Sequence, residues 1–360
     1  MPDIKDLREK IDKIDDQLLK LINRRAALAV SIGKEKFKKS QAGHFHVPHR
    51  EREIIKRVTD ANSGPFPDES VERVFREIFS ATLALEKPLK IAFLGPETTF
   101  SHQAAIKQFG HSAVLSPFNS IEVIFSEVEQ GNCAYGIVPV ENSTEGVINL
   151  TLDCFVDSPL LICDELKLEV SLCLMSKAKD MKQIEVVYSH PQALAQCRNW
   201  LSRHLPGVEQ VPVSSTASAA KQIQGEKKSA AIAGFLAAEM NQLNVLAEKI
   251  QDRSDNHTRF LVIGMEKAKK ARHNKTAILF SIKDEAGSLL QSLQIFARNK
   301  INLTKIQSRP LRNRSWEYLF YLDFEGHADD PNIARVVDSL RKKSLFMKVL
   351  GSFPEARAKI

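Results

Sequence analysis

The chain has 360 residues, of which 43% are hydrophobic and 26% charged, a composition typical of a folded protein with two or three domains. It contains no apolar run of about 18 residues, so no membrane span is predicted, and its N-terminus is charged from the third residue, which argues against a signal peptide. The net charge of +7 is not gathered into long basic runs, so we expect small anionic ligands rather than nucleic acid.

The five cysteines are scattered along the chain and form no Cys-x-x-Cys pair. The sequence therefore predicts neither a zinc site nor a disulfide framework. Free thiols are typical of a reducing compartment, so we expect a cytoplasmic protein. No metal or nucleotide motif was found, and no metal or cofactor is expected.

The first segment, residues 1–88, has the apolar spacing of helices. Apolar residues recur at near-heptad intervals over 4–36, which predicts one long helix. Further helices are predicted over about 49–61 and 68–86, because prolines interrupt the chain between them. An all-helical domain is expected here.

From residue 89 to 265 the spacing of apolar residues is no longer that of helices alone. Short Val- and Ile-rich strands alternate with helical stretches, which favours parallel β-sheets. The alternation comes in two blocks of similar size, so we expect two lobes with a cleft between them. Ligands of such sheets bind beyond the carboxyl ends of the strands.

Four predicted strands end in clusters of hydroxyl and amide side chains, and each is expected to open a helix. The clusters are Thr98 and Thr99; Asn142, Ser143 and Thr144; Ser189 and Gln192; and Ser214, Ser215 and Thr216. Any one of them is explained by ordinary helix capping. Together they predict a ring of helix N-termini that would bind a carboxylate-bearing small molecule.

Residues 266–274 are charged and poor in large apolar side chains, which is typical of a linker. The remaining segment, 275–360, has the element order βαββαβ. That order predicts a small α+β unit of ferredoxin-like fold.

The middle segment resembles the prephenate dehydratases. The similarity lies in VENSTEG at 140–146, SHPQALAQC at 189–197, AAIAG at 230–234 and HTRFLVIG at 257–264. The resemblance implies a two-lobed α/β fold like that of type II periplasmic binding proteins. It also implies conversion of prephenate to phenylpyruvate, with loss of carbon dioxide and water and without metal or cofactor.

The same resemblance implies that Thr258 is the catalytic proton donor, assisted by a neighbour that the sequence does not identify, and that Arg259 holds a substrate carboxylate. Without the resemblance, Thr258 is a strand-edge hydroxyl and Arg259 a surface ion pair. Thr98 stands where the family has glycine in its first motif. The other expected substrate contacts are Thr99, Asn142, Ser143, Thr144, Ser189, Gln192, Ser215, Thr216 and Phe260.

The helical segment resembles the all-helical chorismate mutases, which rearrange chorismate to prephenate without a nucleophile. On one helix Arg8 and Arg24 point about 160° apart, so they hardly line one pocket of one subunit. In the resembling family the long helix is shared by two subunits, which implies a homodimer or higher oligomer. The expected catalytic residues are Lys36 and Glu86, and the expected substrate contacts are Arg8, Arg24, Arg50, Glu51 and Thr82.

Two departures from the mutase pattern stand out. Glu86 replaces a glutamine, and would serve as a protonated donor to the ether oxygen of chorismate. Val47 replaces an aspartate of many relatives. The residue-based alternative for the whole segment is a helical oligomerisation arm.

The C-terminal segment resembles the ACT domains, which sense phenylalanine in dehydratases of this kind. Two turns carry the resemblance, and Gln307 replaces the glutamate of the second. The expected effector contacts are Gly287, Ser288, Leu289, Leu290, Gln307, Ser308, Arg309 and Pro310. The alternative is a structural dimerisation domain.

The three segments in this order resemble the bifunctional enzymes of phenylalanine biosynthesis, with chorismate, prephenate and phenylalanine as ligands. The mutase product is the dehydratase substrate, so the fusion makes chemical sense. Two alternatives remain: a ligand-sensing regulator built from binding-protein-like and ACT modules, and a bifunctional chain with one inactive domain.

Overall fold

The computed structural model describes residues 3–39, 48–86, 88–310 and 318–356, without the side chains of 36–39, 48–49 and 86. Val47 and the side chains of Lys36 and Glu86 therefore lie outside the described part. The chain divides into two compact units, which are described one at a time. The first comprises residues 1–89 with 109–114, and the second comprises 90–108 with 115–360.

The described helices of the first unit are those that the periodicity predicts. They are α1 (Ile4–Lys39), α2 (Pro48–Asp60) and α3 (Asp68–Glu86). The apolar stripe of α1 stays exposed in the single chain: Leu18 is 51% exposed and Leu21 61%. Near its middle α1 meets α3, where the Arg25 guanidinium lies 4.7 Å from the centre of the Phe79 ring.

The second unit contains the two expected lobes followed by the C-terminal sheet. The first lobe is formed by β1 (Lys90–Leu94), α4 (Phe100–Phe109), β2 (Val114–Phe118), α5 (Ile121–Glu129), β3 (Tyr135–Asn142), β4 (Gly146–Val147), α6 (Asn149–Asp157) and β5 (Leu161–Glu169). The second lobe is formed by β6 (Cys173–Ser176), β7 (Val186–Ser189), α7 (Pro191–Gln196), α8 (Arg198–His204), β8 (Glu209–Pro212), α9 (Thr216–Gln222), β9 (Ser229–Ala233), α10 (Phe235–Asn241) and β10 (Asn244–Ala247). The chain then returns to the first lobe with β11 (His257–Gly264).

The sheets of the two lobes are mixed, whereas the alternation of strands and helices predicted parallel sheets. The first has the order β2-β1-β3-β11-β5 with β4 beside β3, and the second has the order β10-β6-β9-β7-β8. Pairs β1–β3, β7–β8 and β7–β9 are parallel. The antiparallel pairs of the first sheet include those of β11, which returns from the second lobe and runs between β3 and β5 in the opposite direction.

The C-terminal segment has the predicted order βαββαβ. Its elements are β12 (Asn274–Ser281), α11 (Ser288–Arg298), β13 (Leu303–Pro310), β14 (Tyr318–Glu325), α12 (Pro331–Arg341) and β15 (Phe346–Pro354), with strand order β13-β14-β12-β15. One face of this sheet packs under its helices through Phe280, Phe296 and Phe324. The other face shares a core with the first lobe, in which Tyr321 and Phe353 join Phe155.

Gly351 lies where the C-terminal sheet meets the first lobe. A Cβ at this position would lie 2.4 Å from the carbonyl oxygen of Ile162, and the backbone φ of Gly351 is +153°. Only glycine fits so close an approach. The tail is thus packed directly on the lobe that carries β3 and β11.

Candidate active site

A cavity of about 370 Å³ lies between the two lobes of the second unit, at the carboxyl ends of β3, β7 and β8. This is the position that the strand order predicts for a ligand site. Seven residues expected at the site line it. They are Thr99, Asn142, Gln192, Ser215, Thr216, Thr258 and Phe260.

A buried trio of polar side chains lies at the floor of the cavity. The amide nitrogen of Asn142 donates to the hydroxyl oxygen of Thr258 at 2.9 Å and to the side-chain oxygen of Asn256 at 2.9 Å. All three residues are at least nine-tenths buried. Both amide hydrogens of Asn142 are thereby used, and the proton of the Thr258 hydroxyl is left to point at another acceptor.

The amide of Asn142 is fixed in this orientation by the turn that follows β3. Its oxygen accepts from the backbone nitrogens of Thr144 and Glu145, at 2.9 and 3.1 Å, and from the Thr144 hydroxyl at 2.6 Å. The chain then forms the short hairpin strand β4 beside β3. The expectation that a helix opens here is wrong, because the Asn142 side chain satisfies the backbone donors in a tight turn.

The other three polar strand ends do open helices, as predicted. Ser215 is the N-cap of α9 and forms a reciprocal capping box with Ser218. Pro191 occupies the first turn of α7. The hydroxyl of Thr99 donates to the carbonyl oxygens of Leu94 and Pro96, at 3.2 and 3.0 Å, just before α4. Capping and cavity lining are therefore combined in the same loops.

Three expected contacts, Ser143, Thr144 and Ser189, lie outside the lining, and their hydroxyls bond other parts of the fold. The Ser143 hydroxyl donates to the Asp255 carbonyl at 2.9 Å and accepts from the His257 nitrogen at 3.0 Å. The fully buried Ser189 donates to the carbonyl of Ile232 at 2.6 Å. Thr144 is held by Asn142, as described above. These side chains shape the loops around the cavity.

Arg259 also lies away from the cavity, in contrast to the expectation that it holds a substrate carboxylate. Thr258 and Phe260 face the cavity, and Arg259 between them points to the opposite side of the sheet, as strand alternation requires. Its guanidinium pairs with Glu165 at 2.7 Å and with Asp323 of β14 at 2.6 Å. Burial disfavours its charge and is the largest single effect, but Asp323, Tyr321 and Glu165 together outweigh it, so the pKa of Arg259 is raised.

Five further polar residues line the cavity but were not among the contacts expected from the sequence. They are Ser101, Glu145, His190, Gln196 and Asn256. Asn256 precedes Thr258 by two residues, so period-2 alternation was a signal that could have identified it. Burial raises the pKa of the Glu145 carboxyl, and the nearby His190 opposes that shift.

Thr98 adopts the backbone conformation that glycine would favour at its position. Its φ is +68°, in the left-handed region, and the residue is buried. Its backbone nitrogen donates to the His102 ring at 3.0 Å, which holds the loop before α4. The loop therefore keeps its shape at the expense of strain in a β-branched residue.

The helical unit brings several of the expected mutase residues to its surface. Arg8 and Arg24 lie exposed on α1, and Arg50 is exposed and pairs with Glu53 at 3.1 Å. Thr82 is buried and donates to the Ile78 carbonyl at 2.6 Å. Three of the four expected cations, Arg8, Arg24 and Arg50, are therefore exposed in the single chain.

Arg25, next to the expected Arg24, is the more buried of the two. Its guanidinium lies 3.5 Å from the Thr82 hydroxyl. Burial lowers the pKa of Arg25, and the half-buried Glu51 partly offsets that effect. The contact couples two expected substrate residues, Glu51 and Thr82, through a cation that the sequence interpretation did not select.

The two expected effector motifs lie at the start of α11 and on β13. Gly287 has φ +87° and precedes the first turn of α11, which carries Ser288, Leu289 and Leu290. Gln307, Ser308, Arg309 and Pro310 form the end of strand β13, whereas a turn was expected. The Arg309 guanidinium pairs with Asp153 of α6 at 2.5 Å and donates to the Asn149 carbonyl at 2.6 Å.

Among the described residues, no group of three or more His, Cys, Asp and Glu side chains is arranged to hold a metal ion. Within the same ranges, no helix is both long and apolar enough to cross a membrane.

Comparison with known families gives three matches in chain order. Residues 7–87 match chorismate mutase type II, residues 91–268 match prephenate dehydratase, and residues 276–342 match the ACT domain. The structure of a prephenate dehydratase from Arthrobacter aurescens in complex with L-Phe has a TM-score of 0.69 and 32% identity, over 74% of this chain and 90% of that one.

Two curated relatives align with this chain over nearly its whole length and nearly their own. The bifunctional chorismate mutase/prephenate dehydratase of Aquifex aeolicus is 45% identical over 360 residues, covering 99% of each chain. That of Pseudomonas aeruginosa is 44% identical over 357 residues, covering 98% of each chain. The predicted fold class and domain order are thereby confirmed, and the chain belongs to the family of bifunctional chorismate mutase/prephenate dehydratases.

Proposed function

We propose that this chain rearranges chorismate to prephenate in its helical segment, 1–88, and converts prephenate to phenylpyruvate in 89–265. Residues 266–274 link the second enzyme to a regulatory ACT domain, 275–360. The observation that carries the proposal is the buried pair of Asn142 and Thr258 at the floor of a two-lobed cavity. Family membership supports both activities.

In the dehydratase, Thr258 donates its proton to the departing hydroxyl of prephenate. The bond to the carboxylate breaks as carbon dioxide leaves, its electron pair enters the ring, and the C–O bond breaks as water forms. Asn142 is the assisting neighbour, because its amide already donates to the Thr258 oxygen. That hydrogen bond stabilises the oxygen as its proton departs, which makes Thr258 a stronger acid.

Neutral hydrogen-bonding side chains and His190 hold the substrate. Gln192, Ser215 and Thr216 offer hydroxyl and amide donors from the second lobe. Thr99 lines the first-lobe side, where its own hydroxyl proton is directed to the Leu94 and Pro96 carbonyls. Among the side chains that line the cavity, His190 is the one that can carry a positive charge. We therefore assign binding of the prephenate carboxylates to these groups. Arg259 is instead paired with Glu165 and Asp323 on the other side of the sheet.

In the mutase, cations fold chorismate into a reactive conformer and stabilise charge on its ether oxygen. Arg8, Arg24, Lys36 and Arg50 supply the charges, with Glu51, Thr82 and Glu86 as further contacts. The exposed apolar stripe of α1 supports a homodimer, since a stripe of Leu and Ile at near-heptad spacing is the surface that a second helix buries. Within the dimer, Arg8 of each copy completes the site of the other.

Phenylalanine, the end product, binds the ACT domain and inhibits the dehydratase. The L-Phe complex of the Arthrobacter protein supports this assignment, as do the motifs at Gly287 and Gln307. No cofactor takes part. The five free cysteines are consistent with a cytoplasmic location, which is part of the proposal.

Incubating the protein with chorismate tests the proposal directly. Prephenate should appear first and phenylpyruvate second, with phenylalanine slowing the second step. A ligand-sensing regulator would bind these compounds without turnover. A chain with one inactive domain would stop at prephenate, or would convert prephenate but leave chorismate untouched.

A further inference from the structure

The two strands that carry the catalytic pair also carry a charged pair on their other face. In the antiparallel pairing of β3 and β11, Thr258 lies opposite Asn142 and Arg259 lies opposite Glu141. Successive side chains of a strand point to opposite faces. The first pair therefore faces the cavity, and the second faces the C-terminal sheet.

The C-terminal sheet presents a matching pair of opposite charge. Lys305 of β13 lies opposite Asp323 of β14. Lys305 pairs with Glu141 at 2.6 Å, and Asp323 pairs with Arg259 at 2.6 Å. These four residues, Glu141, Arg259, Lys305 and Asp323, form a charged square in which signs alternate around the ring.

Most of the charged square is withdrawn from water. The side chains of Arg259 and Lys305 are 9% exposed and that of Asp323 is 1% exposed, whereas Glu141 remains 39% exposed. Breaking a buried ion pair leaves an uncompensated charge out of water, which is strongly unfavourable. A displacement of one sheet against the other would separate Glu141 from Lys305 and Arg259 from Asp323, although Arg259 would keep Glu165.

We propose that the charged square is a positioning device, which holds Asn142 against Thr258 and makes the dehydratase depend on the placement of the C-terminal sheet. The proposal rests on the dehydratase activity proposed above. Asn142 adjoins Glu141, and Thr258 adjoins Arg259, so a shift of either ion pair moves one member of the catalytic pair relative to the other.

The same strand that contributes Lys305 also bears the second effector motif. Arg309 lies four residues further along β13, on the same face, and is held by Asp153. A ligand that moves β13 would act on the first lobe at two points, α6 and Glu141. Effector binding would thus loosen the Asn142–Thr258 contact without entering the cavity.

A double-mutant cycle at the more accessible pair tests the proposal. Glu141→Gln and Lys305→Met each remove one charge at nearly constant shape, and the wild type and the double variant complete the cycle. Each single variant should lower the dehydratase kcat about tenfold, with KM within about twofold. The double variant should be no worse than either single variant, because one interaction is lost in all three.

The control is Lys228→Met, which breaks an exposed ion pair of the second lobe with Glu185, 2.6 Å long. It should leave the dehydratase kcat unchanged. Mutase turnover in each variant reports on the integrity of the chain. The concentration of phenylalanine that halves the dehydratase rate should rise severalfold in both square variants and stay unchanged in the control.

Different results would overturn the proposed dehydratase activity and the positioning device. A wild-type chain that does not turn over prephenate would overturn the proposed function, and the positioning device with it. An active wild type whose square variants lose melting temperature but keep kcat and phenylalanine sensitivity would overturn the positioning device alone. Independent, additive effects of the two single variants on kcat would also overturn it.

Arg259→Lys keeps the positive charge but cannot contact Glu165 and Asp323 at the same time as arginine does, so it should repeat the fall in kcat.

Discussion

The amide of Asn142 donates a 2.9 Å hydrogen bond to the hydroxyl of Thr258, across two antiparallel strands that are far apart in the sequence. Because the amide nitrogen has no lone pair to offer, Thr258 is the acceptor, and its own proton is free for a ligand in the cavity. The hydroxyl of Thr258 can therefore give its proton to a ligand in the cavity while Asn142 donates to its oxygen.

Replacing Thr258 with valine removes the hydroxyl and keeps the shape of the side chain. General acid assistance contributes roughly 10²–10⁴-fold, so the dehydratase kcat should fall by that order. Mutase turnover by the same protein should remain nearly intact. Near-normal turnover of prephenate by Thr258→Val would contradict the assignment.

Asn142→Asp exchanges the donor for an oxygen and keeps the acceptor that the turn requires. The backbone nitrogens of Thr144 and Glu145 still find their partner, so the loop should persist. The Thr258 oxygen loses its donor and gains a negative neighbour, and the dehydratase kcat should fall roughly a hundredfold. Kinetics with prephenate measure the fall in kcat, and a circular dichroism spectrum checks that the fold persists. Unchanged kcat would mean that Asn142 only shapes the turn.

Arg8→Ala and Arg24→Ala should each abolish mutase activity, because each leaves a substrate carboxylate unpaired, at a cost of about 2–5 kcal/mol. If the two cations come from different subunits, mixing the inactive variants and allowing subunit exchange should restore part of the activity. Heterodimers isolated with two affinity tags provide the sample. No recovery in verified heterodimers would rule out a shared site.

Thr98→Gly should stabilise the protein. The backbone φ of +68° costs a β-branched residue about 1–2 kcal/mol, and the added flexibility of glycine in the unfolded chain takes back about 0.5–1 kcal/mol. The backbone bond to His102 is kept. A net gain of about 0.5–1 kcal/mol should appear as a higher urea midpoint. Thr98→Ala, which keeps a Cβ, is the matched control and should gain less.

Phenylalanine and prephenate should oppose each other's binding by the same factor, since coupling between two sites is reciprocal. Calorimetry on the intact protein, with and without a saturating substrate analogue, measures the phenylalanine affinity. The intact chain is the appropriate sample because the C-terminal sheet shares its core with the first lobe. Absence of binding at millimolar phenylalanine would make the tail structural, with Gln307 as the first residue to restore to glutamate.

Local pattern determined much of this protein. Near-heptad spacing predicted α1, and proline placed the break before α3, because helix period and chain stiffness act over a few residues. The apolar run at 258–264 likewise predicted the strand that carries Thr258 and Phe260. The motifs around Asn142 and Thr258 then indicated the family, which the comparisons confirm.

Tertiary structure alone decided what those side chains touch. Because successive side chains of a strand alternate, Thr258 faces the cavity and Arg259 faces the opposite side of the sheet. The neighbouring sequence does not reveal that Asp323 of the C-terminal sheet pairs with Arg259 there. Asn142 could cap a helix or close a turn, and the choice depends on whether Thr258 and Asn256 lie within reach of its amide. Both outcomes depend on groups from distant segments, whose meeting is determined by how sheets pack and not by local propensity.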